Sequence, residues 1–177
     1  NPSLVGSEMC IRDRYEDDLF QGQGTYIYAN GDKYVGSYHE GAQHGRGTKT
    51  FANGDVYVGA FKDDRFEGQG VYTYANGDIY TGAFEKDVKT GQGTKTWGPG
   101  SELSGDKYVG MFKGDAPNGQ GTYTYADGSI YIGAFKDGMK AGQGVKTWGP
   151  DTQFAGDKYD GAFQDNNQNG RGRYIYA

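Results

Sequence analysis

Three lysines recur at one position of a repeated sequence, and they are the residues whose type and spacing best suit chemistry. They are Lys49, Lys95 and Lys146, each two residues after a Gly-x-Gly triplet. Tyrosine takes the same position in the other repeats, at residues 26, 72, 123 and 174. An ammonium group pairs with anions, and it also lies favourably over an aromatic ring. This alternation therefore predicts either a structural or a recognition role for the three lysines.

Two hypotheses follow for this lysine ladder. In the first, each lysine lays its stem along neighbouring rings and its ammonium over a tyrosine face, which stabilises the fold. In the second, the ladder recognises acidic side chains of a partner or spaced anionic head groups. Aromatic contact area is then expected from the tyrosine near the start of each repeat: Tyr34, Tyr57, Tyr80, Tyr108, Tyr131 and Tyr159.

Other residue patterns do not indicate a reaction or a cofactor. His39 and His44 share one loop with Glu40, but no other loop has a histidine, so a solvated loop is favoured over a metal site. The Gly-x-Gly triplets lie inside predicted strands and not at a helix N-terminus, where a phosphate would bind. Asp32 and its counterparts recur singly at a turn, whereas calcium needs several converging carboxylates. We therefore predict no catalytic residue, no metal and no cofactor, and thus no enzyme.

The elements that position the lysines are repeats of about 23 residues, best seen in Gly54–Asn76. Each repeat reads G-[DS]-x-Y-x-G-x-[FY], six loop residues, then G-x-G and an aromatic residue four positions on. Both halves place their characteristic residues at every second position, which is the period of a β-strand. Ala-Asn-Gly-Asp joins the repeats, where Asn-Gly is expected to supply positive φ angles. Units therefore begin at residues 31, 54, 77, 105, 128 and 156.

Aromatic residues replace an ordinary core in this pattern. Of the 27 Phe, Tyr and Trp residues, only Phe20, Phe66 and Phe154 fall outside the repeated positions. Leu, Ile, Val and Phe together make up only 26 of the 177 residues, too few for a two-layer core. We expect the rings to lie over strand glycines, whose bare backbone they cover. Such hairpins stabilise mainly their neighbours in the array.

The repeated word G-D-x-Y-x-G-x-F, followed by G-x-G-x-x-x-aromatic, resembles the MORN (membrane occupation and recognition nexus) repeat family. The resemblance covers residues 15–177 and departs from the family pattern mainly at Ser129 and at two lengthened joints. It implies an all-β fold, an elongated single-layer antiparallel ribbon of tandem β-hairpins with about 13 strands. It also implies work as a scaffold or membrane-proximal module. A catalytic domain, such as a phosphatidylinositol phosphate kinase or a methyltransferase, often lies beside such repeats.

The repeat pattern divides the chain at residue 15. A partial hairpin spans residues 15–30, and residues 1–14 do not fit the pattern. Met9–Arg14 resembles a translated adapter used in making sequencing libraries, so residues 1–14 are predicted to be a non-native scar. The native N-terminus would then lie elsewhere. Because strand edges are expected at both ends, the array is predicted to self-associate or to belong to a longer array.

The charge of the chain limits the classes of partner that it is expected to bind. A net charge of −5 and a pI near 5.0 argue against nucleic acid, and they favour weak or no binding to anionic lipid. A protein partner or self-association is favoured, with a cytoplasmic or membrane-peripheral location. The leading function is thus a non-catalytic scaffold for protein interaction or assembly. The alternatives are a ligand-binding repeat domain, for a phospholipid head group or a glycan or choline, and regulatory repeats of a larger enzyme.

Overall fold

The computed structural model describes residues 9–11, 15–16 and 19–177, and within these ranges the protein is built of β-strands joined by turns. The described ranges contain no helix long and apolar enough to cross a membrane. In chain order the strands are β1 Met9–Ile11, β2 Tyr15–Glu16, β3 Leu19–Phe20, β4 Gly22–Ile27, β5 Lys33–His39, β6 Ala42–Thr50, β7 Val56–Lys62, β8 Arg65–Thr73, β9 Ile79–Glu85, β10 Val88–Thr96, β11 Lys107–Lys113, β12 Ala116–Thr124, β13 Ile130–Lys136, β14 Met139–Thr147, β15 Lys158–Gln164 and β16 Asn167–Ile175.

These strands fall into two compact units. The first consists of Asn1–Ala75 and Ala83–Asp87, and the second of Asn76–Gly82 and Val88–Ala177, so β9 contributes residues to both. In the first unit, neighbours in the sheet follow the order β1-β4-β5-β6-β7-β8; in the second the order is β10 to β16 without a crossover. The neighbours pair antiparallel. The predicted all-β array of antiparallel hairpins is therefore confirmed, and β4 to β16 are the 13 expected strands. Its elongated shape stays a prediction.

The hairpin turns are tighter than the sequence predicted. In place of six loop residues, β7 ends at Lys62 and β8 begins at Arg65. Asp63 and Asp64 alone form the turn, with φ angles of 50° and 66°. Two consecutive positive φ angles are those of a type I′ turn, whose twist matches that of a hairpin. The six-residue loop was thus wrong, because Asp-Asp carries no glycine to signal such a turn.

The Ala-Asn-Gly-Asp joints also differ from the expectation. At the first joint the Gly31 N–H donates to the Tyr28 carbonyl at 2.9 Å, and only Gly31 has a positive φ, of 91°. The Asn30 side chain instead accepts the Asp32 N–H at 3.0 Å. The prediction that Asn-Gly together supplies positive φ angles was therefore wrong for the asparagine, whose side chain holds the turn by a hydrogen bond.

Tyrosine rings over glycine pairs form the core of each hairpin. Gly36 and Gly47 lie opposite each other on β5 and β6, and a Cβ added to either would lie 2.7 Å from Cζ of Tyr34. The ring thus occupies the space that two side chains would take, as predicted. Equivalent tyrosines lie over equivalent glycine pairs elsewhere: Tyr57, Tyr80, Tyr108, Tyr131 and Tyr159. All six are at most 7% exposed.

Five of these six tyrosines also donate a hydrogen bond to a backbone carbonyl of their own strand. In β13 the register shifts between Gly133 and Phe135, so Ala134 sits in a bulge. The Tyr131 hydroxyl donates to the Ala134 carbonyl at 3.0 Å. Tyr34, Tyr57, Tyr108 and Tyr159 donate in the same way to the residue three positions on. The tyrosine therefore both fills the glycine gap and holds the bulge.

Short strands of the N-terminal segment flank the predicted start of the repeat at Tyr15, and the division of the chain at that residue stays a prediction. Tyr15 pairs with Phe20, as Phe61 pairs with Phe66 in the second hairpin. The backbone of Met9–Ile11 pairs with β4, but Ile11 lies opposite Gly24 and not opposite Tyr26, which the repeat register requires. Most of residues 1–14 lies outside the described residues, and their non-native origin stays a prediction.

Candidate functional site

The lysine ladder lies on the same face of the sheet as the buried tyrosines. Lys49 is directly opposite Tyr34 on the neighbouring strand. Lys95 is opposite Tyr108, and Lys146 is opposite Tyr131. Since residues directly opposite each other in an antiparallel pair share a face, the predicted placement of the three lysines is confirmed.

Each ladder lysine places its ammonium over aromatic rings. Lys49 Nζ lies 5.1 Å from the ring centroid of Phe51. Lys95 Nζ lies 4.7 Å from that of Trp97, and Lys146 Nζ lies 4.8 Å from that of Trp148. These distances are within the range of a cation–π interaction, worth about 0.5–1 kcal/mol at an exposed site. All three lysines therefore hold an ammonium over a ring, but the nearest rings are those of Phe51, Trp97 and Trp148 and not the tyrosine faces that the structural hypothesis expected.

A turn carboxylate explains why tyrosine and lysine both suit the ladder position. Asp55 accepts a hydrogen bond from the Tyr72 hydroxyl at 2.8 Å. At the next turn along the chain, Asp78 Oδ2 lies 3.5 Å from Lys95 Nζ. A phenol and an ammonium both donate to a carboxylate, so either can take this position. The alternation is thus compatible with one repeated contact.

The same turn residue also links one turn to the next. Asp78 Oδ1 accepts the Gly98 N–H at 2.9 Å. Asp32, Asp55, Asp106 and Asp157 accept equivalent N–H groups, and Ser129 does so through its hydroxyl oxygen. Burial would raise the pKa of Asp55, but hydrogen bonds, first from the Ala75 N–H and then from Tyr72, lower it below its usual value. The sequence predicted turn formation here but not this linkage.

An aromatic groove of about 350 Å³ lies on the ring-bearing face of the second unit. Its walls include Trp97 and Tyr123, with ring centroids 5.4 Å apart, and Tyr125, which lies 4.6 Å from Tyr123. Other lining residues are Leu103, Pro117, Phe135 and Lys140. We call these seven residues the aromatic groove. It combines apolar walls with one ammonium group, the composition of a site for an apolar segment that also carries an anion.

The six tyrosines predicted to bind a ligand do not face solvent. Five of them are fully buried, and Tyr159 is 7% exposed. The six rings therefore offer little accessible contact area, because glycine lets them lie against the backbone. The accessible rings are the half-buried ones after the Gly-x-Gly triplets, such as Tyr125 and Trp148. A direct binding role of the six motif tyrosines stays a prediction.

Side chains that bind metals do not gather in the described ranges. No group of three or more His, Cys, Asp or Glu residues occurs there. The His39 and His44 rings are 5.5 Å apart, and His44 Nδ1 lies 3.7 Å from Asp63. His39 ends β5 and His44 lies in β6, so the loop that the sequence predicted for them was wrong, and the contact of His44 with Asp63 joins neighbouring hairpins.

The whole repeated pattern matches one family. The MORN repeat matches residues 14–33, 34–56, 57–79, 80–102, 108–130, 131–152 and 159–177. The chain belongs to the MORN repeat family. No curated protein matches the sequence.

Two solved structures are similar to this MORN chain in fold. One is the TCP domain of SAS-4 (dCPAP) of Drosophila melanogaster, in complex with a proline-rich motif of Ana2 (dSTIL). It has 14% identity and a TM-score of 0.47, and the match covers 100% of this chain and 94% of that one. The other is the TCP10 domain of Danio rerio CPAP, in complex with a peptide of Danio rerio STIL. It has 13% identity and a TM-score of 0.44, over 87% of this chain and 73% of that one.

Proposed function

We propose that these MORN repeats are a non-catalytic scaffold that binds a protein partner through the aromatic groove. The observation that carries this proposal is the combination of half-buried rings with ammonium groups on one face of the second unit. Rings supply contact area at low entropic cost, and charges at their edge fix the orientation of the bound segment. The family resemblance to scaffold proteins supports the same proposal.

Two alternatives receive less support from the contacts. A choline-type ligand needs the faces of several rings, but Lys95 and Lys146 already lie over Trp97 and Trp148. Anionic lipid is usually attracted by clusters of four or more basic residues, whereas this chain has net charge −5. An attached enzyme domain is compatible with the proposal, because a scaffold can regulate a neighbouring domain.

A peptide-display selection against the whole chain tests the proposed function. We expect selected peptides to bind the wild type and to lose affinity when Tyr125 or Trp97 is replaced by alanine. The matched control is Ile132→Ser, because Ile132 is 58% exposed and alternates along β13 with the buried Tyr131, so it lies on the opposite face. Selection of no peptide, or of peptides that lose affinity only with Ile132→Ser, would contradict the proposal.

A further inference from the structure

Strands β9–β12 and strands β13–β16 form two hairpin pairs, and each pair carries lysines at the same two positions of its second strand. Lys89 Nζ lies 5.6 Å from the Tyr80 ring centroid, and Lys140 Nζ lies 5.7 Å from that of Tyr131. The ladder lysines of the two pairs, Lys95 and Lys146, lie over their tryptophans at 4.7 and 4.8 Å. The two pairs therefore hold their ammonium groups in the same positions.

The two pairs differ in the carboxylates that meet these lysines. In the first, Lys89 Nζ lies 3.3 Å from Asp115, and Lys95 Nζ lies 3.5 Å from Asp78. In the second, the residues at the corresponding positions are Asn166 and Ser129, which carry no charge. Both lysines remain, and both partner carboxylates are replaced.

The replacements keep the structural hydrogen bonds and remove only the charge. Asn166 Oδ1 accepts the Lys140 N–H at 2.9 Å, as Asp115 Oδ1 accepts the Lys89 N–H at 2.9 Å. Ser129 Oγ accepts the Gly149 N–H at 2.9 Å, as Asp78 Oδ1 accepts the Gly98 N–H at 2.9 Å. Turn formation therefore does not explain the difference between the two pairs.

The two lysines of the second pair meet at one ring. Lys140 Nζ lies 5.4 Å and Lys146 Nζ 5.3 Å from the ring centroid of Tyr125. Lys140 Nζ also donates to the Tyr125 hydroxyl at 2.8 Å. Among the residues that the structure describes, neither ammonium has an ion-pair partner within 4 Å. The Lys146 ammonium contributes to lowering the pKa of Asp127, whose carboxylate accepts a hydrogen bond from the Ser129 N–H.

The pKa values of Lys140 and Tyr125 suit a site that binds an anion. Burial, and after it the neighbouring Lys146 ammonium, together lower the pKa of Lys140 to about 8. Burial raises the pKa of Tyr125 to about 12, so its hydroxyl stays protonated and can donate at neutral pH. An anion between the two ammonium groups would relieve their repulsion, and it would restore Lys140 to full protonation.

We propose that Lys140, Lys146 and the Tyr125 hydroxyl bind the carboxylate of a Glu or Asp side chain in a partner peptide, whose apolar neighbours lie in the aromatic groove. Carboxylate is favoured over phosphate because the chain itself places carboxylates at both corresponding positions of the preceding pair. The hairpin that carries the third ladder lysine, Lys49, does not offer such a site, since Gln43 occupies the position of Lys89 and Lys140. The inference rests on the proposed function and gives it the chemistry of the bound segment.

Isothermal titration of the whole chain with acetyl-Phe-Glu-Leu-Glu-amide tests the site. The glutamine counterpart of this peptide should bind about tenfold or more weakly, the loss expected for a desolvated charge-assisted hydrogen bond. The double variant Ser129→Asp/Asn166→Asp should lose binding to the same extent, because its own carboxylates then fill the site while every lysine and ring remains. Lys89→Gln is the control, because Lys89 lies outside the aromatic groove, and it should bind like the wild type.

Other results would overturn the inference. Unchanged affinity in Ser129→Asp/Asn166→Asp, with the fold intact by circular dichroism, would exclude a carboxylate site at these lysines. Tighter binding of inorganic phosphate, or of phosphatidylserine-containing vesicles, than of the Glu peptide would assign the site to phosphate or to a membrane instead. If display-selected peptides bind this double variant as well as the wild type, the scaffold function stands and the carboxylate site fails. If no peptide is selected, the scaffold function itself fails.

Discussion

The hairpin pair with Lys89 and Lys95 and the pair with Lys140 and Lys146 share a core but not a charge pattern. In the core, the ring centroids of Tyr80 and Phe112 are 4.9 Å apart, and those of Tyr131 and Phe163 are 4.8 Å apart. At the surface, one pair neutralises its lysines internally and the other does not. The comparison teaches that tyrosine and glycine hold the fold, while the turn residues are free to vary the charge of the face. A site can thus be placed on one repeat without changing the next.

The largest loss of stability is expected from substitutions in the core that the two hairpin pairs share. Tyr131→Ala and Tyr80→Ala should each cost about 3–5 kcal/mol in free energy of unfolding, as for other buried aromatic residues. Each change removes a fully buried ring from its glycine pair. Urea unfolding followed by circular dichroism measures the loss, with Tyr176→Ala as the control because Tyr176 is 78% exposed. Clearly unequal losses at Tyr80 and Tyr131 would break the comparison, since the two pairs would then not share one core.

Alkaline pH should destabilise the fold through the same tyrosines. Burial raises the pKa of Tyr108 and of Tyr131 to about 12 from the ordinary value of 10.0. Because the folded pKa is above the unfolded one, this contribution to stability is complete below pH 10 and is lost as the pH rises from about 10 to 12. Urea midpoints measured from pH 8 to 12 should fall over that window. A smaller fall is expected in Tyr131→Phe, and an identical fall would argue against its burial.

Removing the Asp78 carboxylate, which contacts Lys95 in the first hairpin pair, should cause a moderate loss of stability. Asp78→Ser should cost about 1 kcal/mol, because it breaks a partly buried ion pair with Lys95. A serine can keep the hydrogen bond to the Gly98 N–H, as Ser129 does with Gly149. The control Asp78→Ala loses both contacts and should cost more. If Asp78→Ser costs as much as Asp78→Ala, serine does not replace aspartate in the way that the comparison assumes.

The smallest effect is expected at the more exposed carboxylate. The Asp115 side chain is 54% exposed, so Asp115→Asn should cost about 0.5 kcal/mol or less, in the range of a surface ion pair. The amide keeps the hydrogen bond to the Lys89 N–H, as Asn166 does with Lys140. Thermal melting at 0.05 and 0.5 M salt checks this prediction, because about 0.5 M salt screens an exposed pair. A large loss that salt does not reduce would show that the contact is structural and not electrostatic.

Much of the fold was predictable from the sequence because the repeat places its characteristic residues at every second position. The alternation of Tyr57, Gly59 and Phe61 predicted a strand with its rings on one face, and the glycine pairs predicted a ring lying over them. The register then placed Lys49, Lys95 and Lys146 on that face. These predictions were confirmed because a period of two leaves only one assignment of faces.

The rest depended on contacts between residues that are distant in the sequence. Phe66 falls outside the repeated positions, yet its ring stacks on Tyr57 with centroids 3.8 Å apart, which no spacing predicts. The pairing of Lys89 with Asp115 joins neighbouring hairpins across 26 positions. Tyr34 was expected to lie over strand glycines, but the sequence does not show that its ring is then fully buried. The candidate site was therefore predicted as a face but not as a particular pair of lysines.

The stoichiometry of peptide binding to Asp78→Ser/Asp115→Asn tests the central claim most directly. This double variant gives Lys89 and Lys95 the neutral neighbours that Lys140 and Lys146 have, without touching any residue of the proposed site. Isothermal titration with acetyl-Phe-Glu-Leu-Glu-amide should find one site in the wild type and two in the variant, since the first pair would then lack its internal carboxylates. A variant that keeps one site, with its fold intact, would contradict the claim that the missing carboxylates create the binding site.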